Sequence, residues 1–399
     1  MRNKANLFAG LALGALLLGL IFLLDGRGEW PGLNLPSSGR PFMDLQVITE
    51  GAVAYRAGHD PMQANPTDEW QRKLNYPRAW QVLYPLGIGP EDTRWLGIVF
   101  IGLFVVGLLL ALPPLSNWQV VWLLAAVLSP AVQLALQRGN TDLPMFFLLS
   151  LAIVAPPALA WGATILAFVL KLFPLAGLVV FCCQERVRAI RWVAAGLLFA
   201  PLYLLFSYSD LVQISANTPR SVWLSYGMNV AWMKVAETDV AAGGIARMVS
   251  YALAVGVIVG AAAIAWTKRV APATERSRAL DCFRVGAACF LATFLLGNNF
   301  FYRLIFLLLT IPQLLQWARE VGAGERTAAR LSLAALYVTF WSMQIERLLS
   351  GWSGGAAFSF WLTMSAHWTV FAGLAWLLAR HLPVREWIGA LAAPDKEEA

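Results

Sequence analysis

Long apolar runs separated by short polar breaks occupy most of this chain, a pattern typical of membrane-spanning helices. The first run, Ala5–Leu24, follows Arg2 and Lys4, and no small-residue cleavage site comes after it. It therefore predicts an uncleaved membrane helix whose amino terminus faces the cytoplasm. Later apolar runs predict further spans at residues 93–112, 118–136, 190–207, 244–266, 280–297, 301–317, 330–347 and 358–379.

The region 143–183 decides how many times the chain crosses the membrane. It is apolar except for Lys171, and prolines interrupt it at Pro156-Pro157 and at Pro174. Clusters of Lys and Arg, which favour the cytoplasmic side, follow this region and recur in two later loops and the tail. All four clusters face the cytoplasm only if the region makes three short crossings, or two crossings and a re-entrant segment.

This reasoning predicts an all-α polytopic membrane protein with about 12 transmembrane segments (roughly 11 to 13) and both termini in the cytoplasm. The chain is expected to form a single domain over residues 1–399, including a cytoplasmic tail at 380–399. Five polar segments then lie on the outer face of the membrane: residues 25–92, 137–142, 208–243, 298–303 and 348–357.

The longest outer segment, residues 25–92, is expected to carry a helix along the membrane surface. Pro41 suits the first helical position, Gly58 suits a left-handed end, and Pro61 prevents the helix from resuming. Asp44 then lies in the first turn, where the helix dipole favours a negative charge. This acid either only complements the helix start or, at an apolar boundary, has a functional role. A second interfacial helix is expected in the outer segment 208–243, which is rich in aromatic residues.

Composition supports the membrane assignment and limits the function classes. Hydrophobic residues make up 59% of the 399 positions and charged residues only 13%, whereas soluble domains average about 25% charged residues. The net charge of +7 is therefore attributed to topology and to lipid phosphates, and no nucleic-acid partner is expected. The cysteines lie in or beside apolar runs and the three histidines are far apart in sequence, so no metal site is expected.

Lys171 is the most informative polar residue in the apolar regions. A charge at the centre of a membrane helix costs at least about 2.5–3.5 kcal/mol, so such residues are functional candidates. Lys171 either extends to the membrane interface or meets an anion in a cavity. The proline three residues later, Pro174, breaks the helix at the same place and favours the cavity.

Two further polar clusters lie in short breaks between predicted spans. Arg138, Asn140 and Asp142 form the first. An ion pair between Arg138 and Asp142, with Thr141 as a helix cap, explains part of this cluster. The second cluster contains Asn299, Tyr302 and Arg303; the asparagine also suits a turn, and the arginine points either inward or outward. With one acid and several cations around broken helices, these residues predict a site for a phosphate carried on a membrane lipid.

These motifs, taken in order, resemble glycosyltransferase family 87, a group of C-type polytopic membrane glycosyltransferases. The resemblance rests on Asp44 opening a helix that runs to Tyr55-Arg-Ala-Gly-His-Asp-Pro61, and on Asn75-Tyr-Pro77. It extends to Arg138-Gly-Asn-x-Asp142, Lys171-x-x-Pro174 and Asn299-x-x-Tyr302. The chain departs from the family pattern at Arg78, where a second proline is usual, and at Leu74, where an aromatic residue is usual.

The resemblance implies that a sugar, most typically mannose, is transferred from a polyprenyl-phosphate donor to a hydroxyl of a glycolipid or cell-envelope glycan. It implies a GT-C-like fold in a bacterial inner membrane, with membrane lipids around it and an inverting active site on the outer side. Asp44 is then the general base, and Arg138, Lys171 and Arg303 bind the donor phosphate. The residues implied in substrate binding are Tyr55, Tyr76, Asn140, Asp142, Asn299 and Tyr302. No cofactor or obligatory metal ion is implied.

Two alternatives remain at the level of sequence. A lipid or glycolipid transporter also uses broken helices and buried basic residues, but it does not need an acid on a helix in a long outer loop. A scaffolding membrane protein accounts for the apolar pattern but leaves Lys171 unexplained. The transferase hypothesis requires that Asp44, Arg138 and Lys171 converge on one cavity.

Overall fold

The computed structural model describes residues 35–36, 40–183, 186–267, 277–320 and 322–382. The first predicted span, residues 5–24, and the tail from residue 383 lie outside this part of the chain. Regular structure in the described ranges is helical apart from one pair of two-residue strands, β1 (Ser225–Tyr226) and β2 (Asn299–Phe300), which are antiparallel. The predicted all-α class is therefore confirmed.

The helices follow one another with short connections. In chain order they are α1 (Met43–Arg56), α2 (Thr93–Ala111), α3 (Asn117–Val127), α4 (Pro130–Arg138), α5 (Asp142–Val154), α6 (Pro157–Leu170), α7 (Arg186–Phe206), α8 (Tyr208–Asn217), α9 (Val230–Ala236), α10 (Val240–Thr267), α11 (Arg278–Leu295), α12 (Ile311–Glu320), α13 (Ala323–Phe340), α14 (Ser342–Leu349) and α15 (Gly355–Arg380). Segments of 3-10 helix cover Arg78–Leu86, Pro90–Asp92, Phe173–Cys183 and Phe301–Thr310.

Several helices are long and apolar enough to cross a membrane, which supports the predicted membrane-embedded character. In the described residues five meet this test: Pro90–Ala111, Val187–Phe206, Val240–Ile264, Phe301–Arg319 and Gly355–Arg380. The bent pair α3 and α4 makes a sixth if it counts as one span. Shorter apolar helices occupy Asp142–Val154, Pro157–Leu170 and Phe173–Cys182.

The expected span at 118–136 is wrong as a continuous helix, because α3 and α4 meet at an angle of 56°. Proline at position 130 lacks an amide proton and begins α4, and it holds the preceding Ser129 in an extended conformation with ψ of 151°. The bend directs the carboxyl end of α4, with Arg138, toward the amino end of α1. The expected span at 330–347 is likewise divided, since α13 ends at Phe340 and α14 begins at Ser342.

The region 143–183 forms three successive helical pieces, and the breaks lie at the prolines. Helix α5 ends just before Pro156-Pro157, and α6 ends at Leu170. Lys171 follows in an extended conformation (φ −166°, ψ 99°), after which the chain continues as 3-10 helix. Lys171 therefore lies in the break between α6 and the 3-10 segment.

Helix α1 begins two residues later than expected, so the assignment of Pro41 to the first helical position is wrong. The residue before the helix, Phe42, is in the left-handed conformation (φ 59°), which is uncommon for a residue with a side chain. Its amide donates to the carbonyl of Gln137 at 2.8 Å. This bond ties the start of α1 to the end of α4. The expected left-handed position of Gly58 is confirmed, with φ of +88°.

Two glycines make room for the Phe42 ring. A Cβ atom at Gly97 in α2 would lie 2.4 Å from the ring, and one at Gly139 would lie 2.9 Å from the Phe42 Cβ. Such approaches are closer than atoms tolerate. Phe42 is buried, with 3% of its surface exposed, and it fixes α1 against the rest of the fold.

We predict that Gly97→Ala destabilises the protein by about 1–3 kcal/mol, the usual cost of overpacking a core. The added methyl group must displace the Phe42 ring. Gly102→Ala in the same helix is the matched control, because a Cβ atom there meets nothing within 4 Å. Thermal unfolding of both variants in the same detergent gives the measurement, and equal unfolding midpoints would contradict the proposed fit of Phe42 between the glycines.

Candidate functional site

A cavity of about 670 Å³ lies between the start of α1, the end of α4, the Lys171 break and the strand pair. Its wall includes residues from distant parts of the sequence: Met43, Asp44, Val47, Arg72, Lys73, Asn75, Tyr76, Pro77, Leu134, Arg138, Lys171, Leu172, Phe173, Ile214, Asn217, Thr218, Pro219, Ser221, Trp223, Leu224, Leu296, Asn298, Asn299, Phe300, Tyr302 and Arg303. The convergence of Asp44, Arg138 and Lys171 that the transferase hypothesis requires is present.

Asp44 is held by two side chains from the break after α4. Its Oδ2 accepts a hydrogen bond from Asn140 Nδ2 at 2.6 Å, and its Oδ1 lies 3.5 Å from Arg138 Nη1. The Asp44 side chain keeps 15% of its surface exposed. The carboxylate is thus oriented by the protein and still open toward the cavity, as a group that receives a proton from a ligand must be.

Lys171 lies at the floor of the cavity and is almost completely buried. Its Nζ is 2.7 Å from Asp142 Oδ1 and donates to Thr141 Oγ1 at 2.8 Å and to Asn140 Oδ1 at 3.1 Å. A buried ammonium group needs partners of this kind to offset the cost of leaving water. The alternative in which Lys171 extends to the membrane interface is therefore wrong.

Arg303 reaches the same buried carboxylate from another part of the chain. Its Nε lies 3.4 Å from Asp142 Oδ2, Nη1 donates to Asn299 Oδ1, and the guanidinium stands over the ring of Phe173 at 5.1 Å. The side chain of Arg303 therefore points inward. Asp142 itself has no exposed surface, and the expected ion pair between Asp142 and Arg138 is replaced by these two contacts.

The charges around the cavity do not cancel. Lys171 and Arg303 share the single carboxylate of Asp142, whereas Arg138 is matched by Asp44. Lys73 also lines the cavity, and no acid lies within ion-pair distance of it in the described part of the chain. The wall therefore carries an excess of positive charge, which favours an anionic ligand.

Aromatic side chains enclose the lysine. The Lys171 ammonium stands 5.4 Å from the centre of the Tyr76 ring and 5.9 Å from that of Tyr302. Trp80 Nε1 donates to the carbonyl of Leu170 at 3.0 Å, which attaches the outer segment to the break that carries Lys171. Aromatic faces stabilise a nearby cation and also suit contacts with apolar or sugar groups of a ligand.

The structure brings most of the predicted site residues together. Asp44, Tyr76, Arg138, Lys171, Asn299, Tyr302 and Arg303 line the cavity, and the buried side chains of Asn140 and Asp142 lie directly behind it. Tyr55 does not: it is 52% exposed and packs on Tyr84 with ring centres 5.5 Å apart. It follows Asp44 by three helical turns, roughly 16 Å along the helix axis. The structure therefore does not place Tyr55 with the other predicted substrate-binding residues.

Arg72 supports the start of α1 and is not among the site residues predicted from the sequence. Its Nη1 donates to the carbonyl of Met43 at 2.9 Å, and its Nη2 pairs with Asp68 at 2.7 Å. The i,i+4 spacing of Asp68 and Arg72 was a sequence signal for their ion pair. Nothing local indicated that the arginine also contacts the residue beside Asp44.

Arg78, a departure from the resembled family, joins two walls of the cavity. Its Nη2 is 2.8 Å from Asp60 Oδ2 and its Nε is 2.8 Å from Asp210 Oδ1 in α8. Burial of the Asp60 carboxyl raises its pKa, but hydrogen bonds from Arg78 and the Met62 amide outweigh this and the net pKa is lowered. Asn217 Nδ2 adds hydrogen bonds to the carbonyls of Met62 and Leu74. These contacts hold α8 against the outer segment.

Comparison with protein-family models, with curated proteins and with solved structures finds no match for this chain. Within the described residues, no three His, Cys, Asp or Glu side chains are grouped closely enough to hold a metal ion.

A pH-dependent stability is expected from Glu50 in α1. Burial, followed by interaction with Asp68, raises its pKa from 4.5 to about 7. Between these values the unfolded chain has lost the Glu50 proton while the folded protein keeps it. The stability that protonated Glu50 contributes is therefore full below pH 4.5 and lost as the pH rises through about 7.

Glu50→Gln, which mimics the protonated form, should remove this loss. We expect the free energy of unfolding of the wild type to fall by on the order of 1–3 kcal/mol between pH 4.5 and pH 8, relative to the variant. Unfolding curves of both proteins across this pH range test it. Parallel pH profiles would show that Glu50 does not titrate in this window. Asp68 does not confuse the test, because its pKa is lowered from 3.8 and its titration changes stability only at more acidic pH.

Proposed function

We propose that this protein is a membrane glycosyltransferase that moves a sugar from a polyprenyl-phosphate donor to a hydroxyl acceptor. The observation that carries the proposal is the joint presence of an oriented carboxylate, Asp44, and an excess of cations on one cavity wall. The first group suits deprotonation of a hydroxyl, and the second suits a departing phosphate. The order of motifs that resembles glycosyltransferase family 87 supports the same function.

In the proposed reaction, Asp44 accepts the proton of the acceptor hydroxyl. The hydroxyl oxygen forms a bond to the anomeric carbon as the bond from that carbon to the phosphate oxygen breaks, and the configuration inverts. Asn140 orients the carboxylate throughout through its 2.6 Å hydrogen bond. The acceptor is a glycolipid or a cell-envelope glycan, and mannose is the proposed sugar.

The leaving polyprenyl phosphate takes the bonding electrons and needs cationic partners. Lys171 and Arg303 supply them at the floor of the cavity, and Arg138 supplies one beside Asp44. Because Asp142 satisfies only part of the charge of the first two residues, both keep the capacity to attract a phosphate. Preorganised cations of this kind act on the charge that develops in the transition state. Asn299, Tyr76 and Tyr302 are proposed to contact the substrates.

The proposal includes a membrane arrangement. About twelve spans in a GT-C-like fold place the cavity on the outer side of a bacterial inner membrane, with the termini in the cytoplasm. A donor on a membrane lipid then reaches the cavity from the bilayer.

The decisive test compares intact protein with Asp44→Asn in membranes supplied with radiolabelled sugars on polyprenyl phosphate. The two side chains are nearly equal in size, but the amide cannot accept the proton, so transfer should fall about 10²–10⁴-fold. Glu69→Gln is the matched control, since Glu69 is half exposed and pairs with Arg40 outside the cavity.

Transfer in the wild type and the Glu69→Gln control, with none in a folded Asp44→Asn protein, is the expected result. Equal transfer in all three would remove Asp44 from the mechanism. A wild type that moves the labelled lipid across the membrane without transferring its sugar would replace the transferase proposal with a transporter.

A further inference from the structure

A second cavity of about 430 Å³ lies behind the strand pair. Trp223 and Leu224 line both cavities, and consecutive residues after β2 divide between them: Phe301 faces the second cavity, whereas Tyr302 and Arg303 face the first. The segment leading into β1 and the residues after β2 therefore form a common wall. A ligand in the second cavity lies next to the candidate active site.

The lining of the second cavity is rich in hydroxyl and carboxylate groups. Ser342 Oγ is buried and lacks a hydrogen-bond partner among the described residues. Thr363 also lines the cavity and is buried. A buried hydroxyl without a partner costs free energy. The Ser342 oxygen has almost no accessible surface, so it lies behind the cavity wall rather than on it.

The charge of the second cavity has the opposite sign to that of the first. Lys234 lies 2.7 Å from Glu237 and is matched by it, whereas Glu346 makes no ion pair within the described ranges. The extra carboxylate disfavours an anionic ligand. A carboxylate accepts hydrogen bonds from two neighbouring hydroxyls, as a sugar ring provides.

Two exposed tryptophans also line the second cavity. Trp223 is 57% exposed and Trp361 is 46% exposed, and both line the second cavity. Their flat, amphipathic faces suit the apolar face of a pyranose ring. Trp361 belongs to α15, which is long and apolar enough to span a membrane and begins at Gly355, only a few residues earlier. A sugar carried on a hydrocarbon chain can therefore enter the cavity while the chain remains in the bilayer.

We propose that the second cavity binds a neutral hexopyranoside unit of the acceptor, next to the unit whose hydroxyl meets Asp44 in the first cavity. Glu346 binds the sugar hydroxyls, and Trp361 packs on the ring. The role as acceptor site rests on the proposed function, whereas binding of a hexopyranoside does not. The two cavities then select their ligands by charge: phosphate in the first and hydroxyls in the second.

The test measures equilibrium binding of tritiated octyl α-mannopyranoside and octyl β-glucopyranoside to the full-length protein in lipid nanodiscs. Octyl tetraethylene glycol ether, with the same chain and no sugar, is the ligand control. We expect one saturable site for at least one glycoside and a loss of affinity of about tenfold or more in Glu346→Gln and in Trp361→Ala. Trp352→Ala is the matched control, because Trp352 is 56% exposed and lies outside the cavity lining.

Two results overturn the proposal. One is the absence of saturable glycoside binding beyond that of the ether. The other is equal affinity in the two cavity variants and the Trp352→Ala control. A circular dichroism spectrum and an unfolding midpoint equal to those of the wild type show that each variant is folded.

Transfer assays separate this proposal from the proposed function. Glycoside binding that depends on Glu346, without sugar transfer from any polyprenyl-phosphate donor, keeps the saccharide site and rejects the transferase. Transfer that depends on Asp44, with an acceptor KM unchanged in Glu346→Gln, keeps the transferase and rejects the acceptor site. Glu69→Gln should leave glycoside binding unchanged in either case, because Glu69 is half exposed and lines neither cavity.

Discussion

A carboxylate without exposed surface, Asp142, lies where three breaks in the helical structure meet. It is the first residue of α5, it faces Lys171 from the break after α6, and it faces Arg303 from the segment after β2. Removing one partner from a buried ion pair costs about 3–5 kcal/mol. The breaks are therefore held together by charge at a depth where water cannot replace the missing partner, and the cavity depends on that convergence.

The second constraint is steric and positions the acid of the site. Phe42 enters a space made by Gly97 and Gly139, and its amide binds the end of α4. Asp44 follows two residues later on a helix whose first turn is additionally held by Arg72. The chain accepts an unfavourable left-handed conformation at Phe42 because the ring gains burial and α1 gains a fixed start. Ion pairs with Asp142 hold Lys171 and Arg303 together, and the packing of Phe42 places Asp44 beside them.

Local sequence features predicted the parts of the site that depend on short-range chemistry. The prolines at 156–157 and 174 marked real helix ends, and the isolated charge of Lys171 indicated a buried polar partner. The start of α1 could not be found in the same way. Pro41 has the residue type expected at a helix start, but the glycines that hold Phe42 are 55 and 97 residues away in the sequence. Tyr55, named from the family resemblance, lies three helical turns from Asp44 and outside the cavity, because a motif in the sequence does not indicate distance along the helix axis.

In the proposed reaction the Asp44 carboxylate and the Lys171 ammonium act on different groups, and a direct ion pair between these two would neutralise both. The amide of Asn140 separates them. Its Nδ2 donates to Asp44 and its Oδ1 accepts from Lys171, so the proposed base and the proposed phosphate-binding cation are joined through a neutral group. Asp142 meanwhile offsets Lys171 from behind the cavity wall. Asn140 therefore has a role that no charged residue fills: an aspartate there would repel Asp44, and a lysine would repel Lys171. In the proposed reaction the Asn140 bridge keeps the proton acceptor and the phosphate site close together without a direct ion pair between Asp44 and Lys171.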